Sequence, residues 1–340
     1  MAGSFHHRPV LLCESLDGLA LRPGHRVVDG TVGGGGHAEA ILRLIGPTGI
    51  LLGLDVDEEA LTAAAARLAP FGDRVRLEHA SFRELRSVLR RVEWTRVDAV
   101  LLDLGVSSRQ LDAPERGFRF SEETADMTPL DMRMDQRLPE TAADLLSSAS
   151  AAEIERWLRE YGELPGAHRL ARALDETRRH TPLRTVRDLL RVIEVARVGG
   201  GRRHHPATLV FQALRIAVNE ELSELVEALA AAERALRPGG RLVVVTFHSL
   251  EDRIVKTFLS HRSKAPSASR HQPQAEGPEP SFRLVAKGAI EPGPDEVAGN
   301  PRSRSAKLRA AERTDAPAHP GGDLMGLLPP PSPQRAGRRR

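Results

Sequence analysis

The stretch "VVDGTVGGGGHAEAIL", residues 27–42, limits this chain to a few folds: an apolar run ends in an acid, and four glycines lead into a helical pattern. A linker rarely stands between a strand and a helix, whereas loops that hold ligands often do. Gly33 to Gly36 accept positive φ and let the backbone approach a ligand with no Cβ in the way. A helix beginning near His37 turns free N–H groups toward an anionic group. A tight structural turn is the other reading of the same residues.

The surrounding pattern extends this to a fold class. "RVVDG" (26–30), "ILLGLD" (50–55), "VRLEHA" (75–80) and "VDAVLLDL" (97–104) read as buried parallel strands, with helical spacing between them. Such alternation predicts an α/β fold with a doubly wound, mostly parallel sheet. From about Pro114 to Pro206 the strand signal is absent. There "SAAEIERWLREYGE" opens on Ser150 and Glu153 as a capping box and puts Ile154, Trp157, Leu158 and Tyr161 on one face. The expected organisation is a core of residues 1–113 and 207–313, an inserted all-helical domain at 114–206, and a basic, disordered tail at 314–340. "LVFQALRIAVNEELSELVEALAAAERAL" reads as one long helix returning to the sheet. "GGRLVVVTFHS" (239–249) is the strongest later strand, "FRLVAKGAI" is a further candidate, and "SKAPSASRHQPQAEGPEP" reads as mobile.

With 40% hydrophobic and 28% charged residues the chain can bury a core. No run approaches the roughly 18–20 apolar residues of a membrane span, and "MAGSFHHRPVLL" lacks the pattern of a secretory signal. Cys13, the only cysteine, excludes an intrachain disulfide and a multi-thiolate zinc site. A cytoplasmic protein is expected. Net charge is only +3, but "HRSKAPSASRHQ", "NPRSRSAKLRAAER" and "RAGRRR" gather basic groups late in the chain. They suit a polyanion, or else a solvated tail.

Asp55 ends the second strand pattern 26 residues after Asp29 (55 − 29), where a carboxylate can accept both hydroxyls of a ribose. Gly33, Gly35 and Ala38 satisfy G-x-G-x-x-A, which alone would equally suit a nicotinamide dinucleotide. The strand ends carry Asp29, Asp55 and Asp103. An acidic rim with one glycine loop suits S-adenosylmethionine, which has a cationic sulfonium and no pyrophosphate, better than a dinucleotide. A helix cap is the alternative for Asp103. In "TFHSLEDRIVK", His248, Ser249 and Glu251 should face the cleft and Arg253 could meet RNA phosphate, unless Ser249 and Glu251 merely start a helix. Asn219 on an apolar helix suggests a buried hydrogen bond or a base contact; Asp131 and Arg133 suggest closure over a target or an internal ion pair. His204 and His205 lack further ligand spacing, so no metal is expected.

Over about residues 5–313 the chain resembles the MraW family of 16S rRNA methyltransferases, which act on the exocyclic N4 of a decoding-centre cytidine. The match is carried by "HRPVLL", "DGTVGGGGHAEAIL", "LLDLGVSSRQLD", "RGFRF", "PLDMRMDQ", "FQALRIAVNEEL", "FHSLEDRIVK" and "NPRSRSAKLR" in that order. The resemblance implies an S-adenosylmethionine-dependent sheet with a helical domain inserted after the fourth strand. It implies cofactor contacts from Gly35, Gly36 and His37, ribose binding by Asp55, adenine beside Phe82, and Asp103 and Gln110 completing the pocket. Asp103 is the candidate catalytic residue; Asp131, Arg133, Asn219, His248, Ser249 and Arg253 are substrate-binding candidates. The chain departs from the family pattern at Arg119, where serine is common, and at Leu164–Pro165, where a Glu–Arg pair is usual. The implied partner is 16S rRNA within the small subunit, with no membrane; the sequence leaves a homodimer open.

Methyl transfer from a sulfonium is an in-line displacement in which positioning carries much of the rate. The target base must leave its stack to reach the methyl. With 4% aromatic residues, RNA recognition should rest on arginine, backbone and shape. A nicotinamide oxidoreductase and a non-catalytic RNA-binding assembly factor are the competing expectations.

Overall fold

The computed structural model describes residues 9–199, 205–265 and 277–320, with residues 326 and 328. They divide into two compact units, one of residues 9–105 and 222–320, the other of residues 106–221. None of the described helices is long and apolar enough to cross a membrane.

The first unit is built on seven strands: β1 (Arg26–Asp29), β2 (Ile50–Asp55), β3 (Val75–His79), β4 (Val97–Asp103), β5 (Leu236–Thr246), β6 (Phe282–Leu284) and β7 (Lys307–Arg313). Their order across the sheet is β3-β2-β1-β4-β5-β7-β6. The strands from β1 to β5 pair in parallel, and β7 runs antiparallel to both β5 and β6. The fold is therefore a doubly wound, mostly parallel α/β sheet. The chain winds outward from β1 to β3, then returns past β1 to lay down β4. The order reverses between β1 and β4, where sheets of this kind open a ligand crevice at their carboxyl ends.

Burial on both faces explains the apolar runs. Val27 and Val28, Leu51 and Leu52, Val100 and Leu101, and Leu242 to Val245 have no exposed surface. Each such side chain contributes about 1.5–3 kcal/mol relative to leaving it in water. Strand β5 begins at Leu236 rather than 239, because its register to β4 jumps from Val97↔Leu236 to Ala99↔Arg241 around Gly239, whose φ is +79°.

Strand β7 was not expected. Its sequence, "KLRAAER", reads as part of a basic cluster, but its charges are used within the unit: Arg309 pairs with Asp252 at 2.7 Å, and Glu312 meets Arg241 at 2.7 Å. Residues 314–320, expected to open the tail, are also fastened. Thr314 Oγ1 donates to Pro280 O at 2.7 Å and His319 N donates to Glu233 Oε1 at 2.9 Å. The rest of the tail apart from residues 326 and 328, and most of the segment expected to be mobile after Lys264, lie outside the described residues.

The second unit is helical, and reaches beyond 114–206 at both ends. Helices at Ala142–Ser148, Ala151–Glu160 and Val186–Ala196 each start on a capping box, from Thr141, Ser150 and Thr185. The expected single helix after Pro206 is two, Pro206–Asn219 and Glu221–Ala235, broken at Glu220 with φ +51°. The first of these buries Val210, Phe211 and Leu214 in the helical core, and Phe211 sits 5.1 Å from Phe120, which is why the unit extends to 221.

A buried polar knot closes the first unit. Glu233, Arg262 and Ser281 have no exposed surface; Glu233 accepts from Arg262 Nε at 3.3 Å and from Ser281 Oγ at 2.6 Å. Removing one charge strands the other in a medium that solvates it poorly. Arg262→Met should therefore destabilise by about 3–5 kcal/mol in urea unfolding, and the added change Glu233→Leu should recover part of that loss.

Candidate cofactor site

The crevice between β1 and β4 is lined by what the sequence placed at the strand ends. Asp29 is 1% exposed; its Oδ1 accepts from Thr31 N at 3.2 Å, while its Oδ2 is enclosed with no hydrogen-bond partner. Across the crevice, Asp103 ends β4. Its Oδ2 lies 3.5 Å from His37 Nδ1, its Oδ1 is enclosed without a partner, and 23% of its side-chain surface stays open. Asp55, ending β2, accepts from Gly33 N through Oδ2 at 2.8 Å and from Asp57 N through Oδ1 at 3.0 Å. Each oxygen of an ionised carboxylate has two lone pairs, so capacity for further donors remains.

The glycine loop joins these acids. Gly35 has φ +80° and precedes the helix Gly36–Leu44, whose first N–H groups have no acceptor within the helix. A Cβ on Gly36 would come within 2.6 Å of Pro9 Cγ, so packing dictates that glycine. A Cβ on Gly34 would meet nothing within 4 Å. No packing demands glycine there, and the open space suits a ligand lying against the backbone. Phe82 is half-buried at the turn after β3, its Cβ 3.2 Å from where a Gly30 Cβ would stand.

Electrostatics marks the same place. Burial pushes Asp29 up to about 7, with Thr31 N–H opposing and the Asp55 charge adding. Burial also raises Asp55 to about 6, against the N–H groups of Asp57 and Gly33. Asp103 is raised well above the usual carboxylate range by burial, then by Asp29 and Glu251. At Asp29 and Asp55 only backbone N–H groups oppose the rise. Such a crevice favours a cation.

The structure thus gathers Gly35, Gly36, His37, Asp55, Phe82 and Asp103 in one unit. Gln110 belongs to the helical unit, where its Oε1 accepts from Ser107 N at 2.8 Å as part of a capping box. His248, Ser249 and Arg253 open the helix Ser249–Ser263 after β5. Glu251 caps that helix through Phe247 N at 2.8 Å and also lies 3.1 Å from His248 Nε2, so its helix-starting role is realised. Ser249 and Arg253 are exposed.

Three substrate-binding expectations are redirected. Arg133 forks onto both oxygens of Asp131 at 2.8 Å and donates to Leu138 O at 2.7 Å, the internal ion pair. Asn219 gives its amide hydrogens to Met132 O and Arg215 O, and its oxygen accepts from Met134 N at 2.7 Å. Both amide hydrogens of Asn219 are thus committed within the helical unit, the buried-hydrogen-bond alternative of the sequence. His205 Nδ1 accepts from Ala207 N and caps a helix, while His204 lies outside the described residues.

Thr31 escaped the sequence reasoning. Its hydroxyl accepts from Asp103 N at 2.6 Å and ties the end of β4 to that of β1. The available signal was "DGT", in which an aspartate binds the N–H two residues on.

A model of the MraW methylase family matches residues 4–314. The chain belongs to that family. Proteins named ribosomal RNA small subunit methyltransferase H are 55% identical over 99% of this chain and 96% of the relative from Xanthobacter autotrophicus, and 54% over the same shares in Azorhizobium caulinodans. The relative from Symbiobacterium thermophilum is 48% identical over 92% of this chain and 98% of its own length. Membership in the MraW methylase family makes the chain a methyltransferase and sets aside the oxidoreductase expectation.

The raised acids predict how the ligand-free methylase responds to pH. Between the unfolded value of about 4 and the folded value of about 7, folded Asp29 keeps a proton that the unfolded chain has released. Stability therefore falls as pH rises through that window, by up to about 1.4 kcal/mol per pH unit for each retained proton. Urea midpoints at pH 5 and pH 7.5 should show a smaller loss for Asp29→Asn than for the wild type.

Proposed function

We propose that this chain transfers a methyl group from S-adenosylmethionine to the exocyclic N4 of a decoding-centre cytidine in 16S rRNA of the small ribosomal subunit. The carrying observation is the pair of buried carboxylates at the β1–β4 crevice, each with one partnerless oxygen beside a glycine loop, which suits a cationic nucleoside. The names of the relatives support the RNA substrate, and the quoted motifs support cytidine N4. A ribosomal substrate implies work in the cytoplasm. The helical unit is read as the substrate side, where Arg119 offers an exposed guanidinium with no partner among the described residues.

S-adenosylmethionine, when bound, supplies an electrophilic methyl on sulfur. Gly35, Gly36 and His37 would present main-chain N–H groups to its carboxylate. Asp55 would accept hydrogen bonds from its ribose hydroxyls, and Phe82 would flank its adenine. Asp29 and Asp103 bring negative charge that the sulfonium offsets, so a ligand-bound site holds these carboxylates ionised. Asp103, fastened by Thr31, can accept an N–H of the target amine and return electron density to a nitrogen whose lone pair is delocalised into the ring. The proton can leave afterwards to water, so no strong base is needed.

In calorimetry S-adenosylmethionine should bind and NADH should not. Because Asp29 is largely and Asp55 partly protonated at pH 6 in the free protein, binding at that pH should release protons, seen as heat that varies with the buffer. Asp55→Ala loses charge-assisted hydrogen bonds of about 1.5–3 kcal/mol and should weaken binding about tenfold or more. Labelled methyl transfer to unmodified small subunits, with nucleoside mass spectrometry, should yield N4-methylcytidine, and Asp103→Asn should lower turnover at saturating cofactor. Label on another atom, or full turnover by the variant, would refute the assignment.

A further inference from the structure

A second concavity lies in the sheet unit, at the opposite end of β4 from Asp103. It is an open cleft of about 620 Å³, and its lining includes Arg86, Arg90, Glu93, Trp94, Arg96 and Arg234. Trp94 to Arg96 lead into β4 and Asp103 ends it. Seven residues of strand at about 3.3 Å each separate the cleft from the methyl-transfer crevice by roughly 20 Å. A ligand here is not the cofactor.

Several arginines elsewhere in the unit meet acids: Arg43 pairs with Glu39, Arg91 with Glu78, Arg241 with Glu312, and Arg309 with Asp252, whereas Arg74 donates to the main-chain oxygens of Gly49 and Leu42. In the cleft, none of the four arginines pairs with a carboxylate among the described residues. Arg96 donates to the main-chain oxygens of Arg234 and Leu236, and Arg234 donates to Ala230 O at 3.0 Å. Those bonds hold the two side chains in place without neutralising them. Arg86 and Arg90 stand exposed one turn apart on the helix Leu85–Arg91. Proximity to a helix C-terminus accounts through the dipole for Arg90 and, in the last turn of Glu221–Ala235, for Arg234, but not for Arg86 or Arg96. Trp94 is 6% exposed beneath the Arg26 guanidinium, 5.6 Å from its ring centroid, so the cleft offers no free ring for a base to stack on.

We propose that this cleft holds the phosphate backbone of the RNA substrate, as a contact remote from the target base. Guanidinium forks match phosphate, and arginine is favoured where a backbone is gripped without being read. The four come from three chain segments spread across an open surface, more than a single phosphate group needs. The inference rests on the RNA reading of the function, but its own readout is binding.

The test compares wild-type protein with Arg86→Gln/Arg90→Gln and, separately, Arg96→Gln, using unmodified small ribosomal subunits as probe at several salt concentrations. Melting temperatures confirm folding, and the second variant covers the case in which the first does not fold. Affinity should drop about tenfold for the double variant, and the slope of log K against log salt should shrink by about 1.4–1.8, since each of two phosphate contacts contributes roughly 0.7–0.9. S-adenosylmethionine affinity and turnover at saturating subunits should stay unchanged. Unchanged affinity and slope would overturn the proposal. So would a melting shift with tripolyphosphate that the variants lose while subunit binding persists, which would identify a small-anion site. Absence of any methyl transfer by the wild type would instead refute the proposed function and leave the binding result to be judged by itself.

Discussion

Carboxylates held out of water without cations beside them are the constraint on which this molecule turns. Burying a charge costs far more than burying an apolar group unless a partner is supplied. In the β1–β4 crevice Asp29 and Asp103 each keep an enclosed oxygen with no partner, and burial pushes both carboxyls toward the protonated form. A cationic ligand would replace those protons. The same feature thus links the stability of the empty fold to occupation of the site.

The sheet provides the rigidity this requires. Parallel strands buried on both faces fix the strand ends to which the acids belong. Thr31 then ties two of those ends together through a single hydroxyl. Deep in the unit, charge is handled by pairing. The Glu233–Arg262 knot shows that this chain can bury ions fully when partners are at hand. By contrast, Asp103 at one end of β4 has only His37 beside it, and the arginines of the cleft at the other end have no carboxylate partner among the described residues.

Much was legible in the sequence because its cause is local. Five strands, the glycine loop and the acids at strand ends are announced by apolar runs and by residues within a few positions of one another. The same holds for the capping box at Ser150, set by the spacing of a helix's first turn. Strand β7 was hidden because its charged residues look like a solvated or nucleic-acid-binding run, and their partners Asp252 and Arg241 stand tens of residues away in sequence. The break at Glu220 was hidden because the residues on both sides keep helical periodicity.

The sequence by itself determined the fold class, the loop that can approach a ligand and the acids that face it, since each depends on short-range sterics and on where an apolar run stops. Only the tertiary structure decided how polar side chains are spent. Asn219 was free to be a base reader or an internal brace until the fold placed two carbonyls and an N–H around its amide. Arg133 became an ion pair, while Arg86 and Arg90 were left facing solvent. Hydrogen bonds and ion pairs are made with whatever the folded chain brings within about 3 Å, and that neighbourhood is set by topology rather than by spacing along the chain.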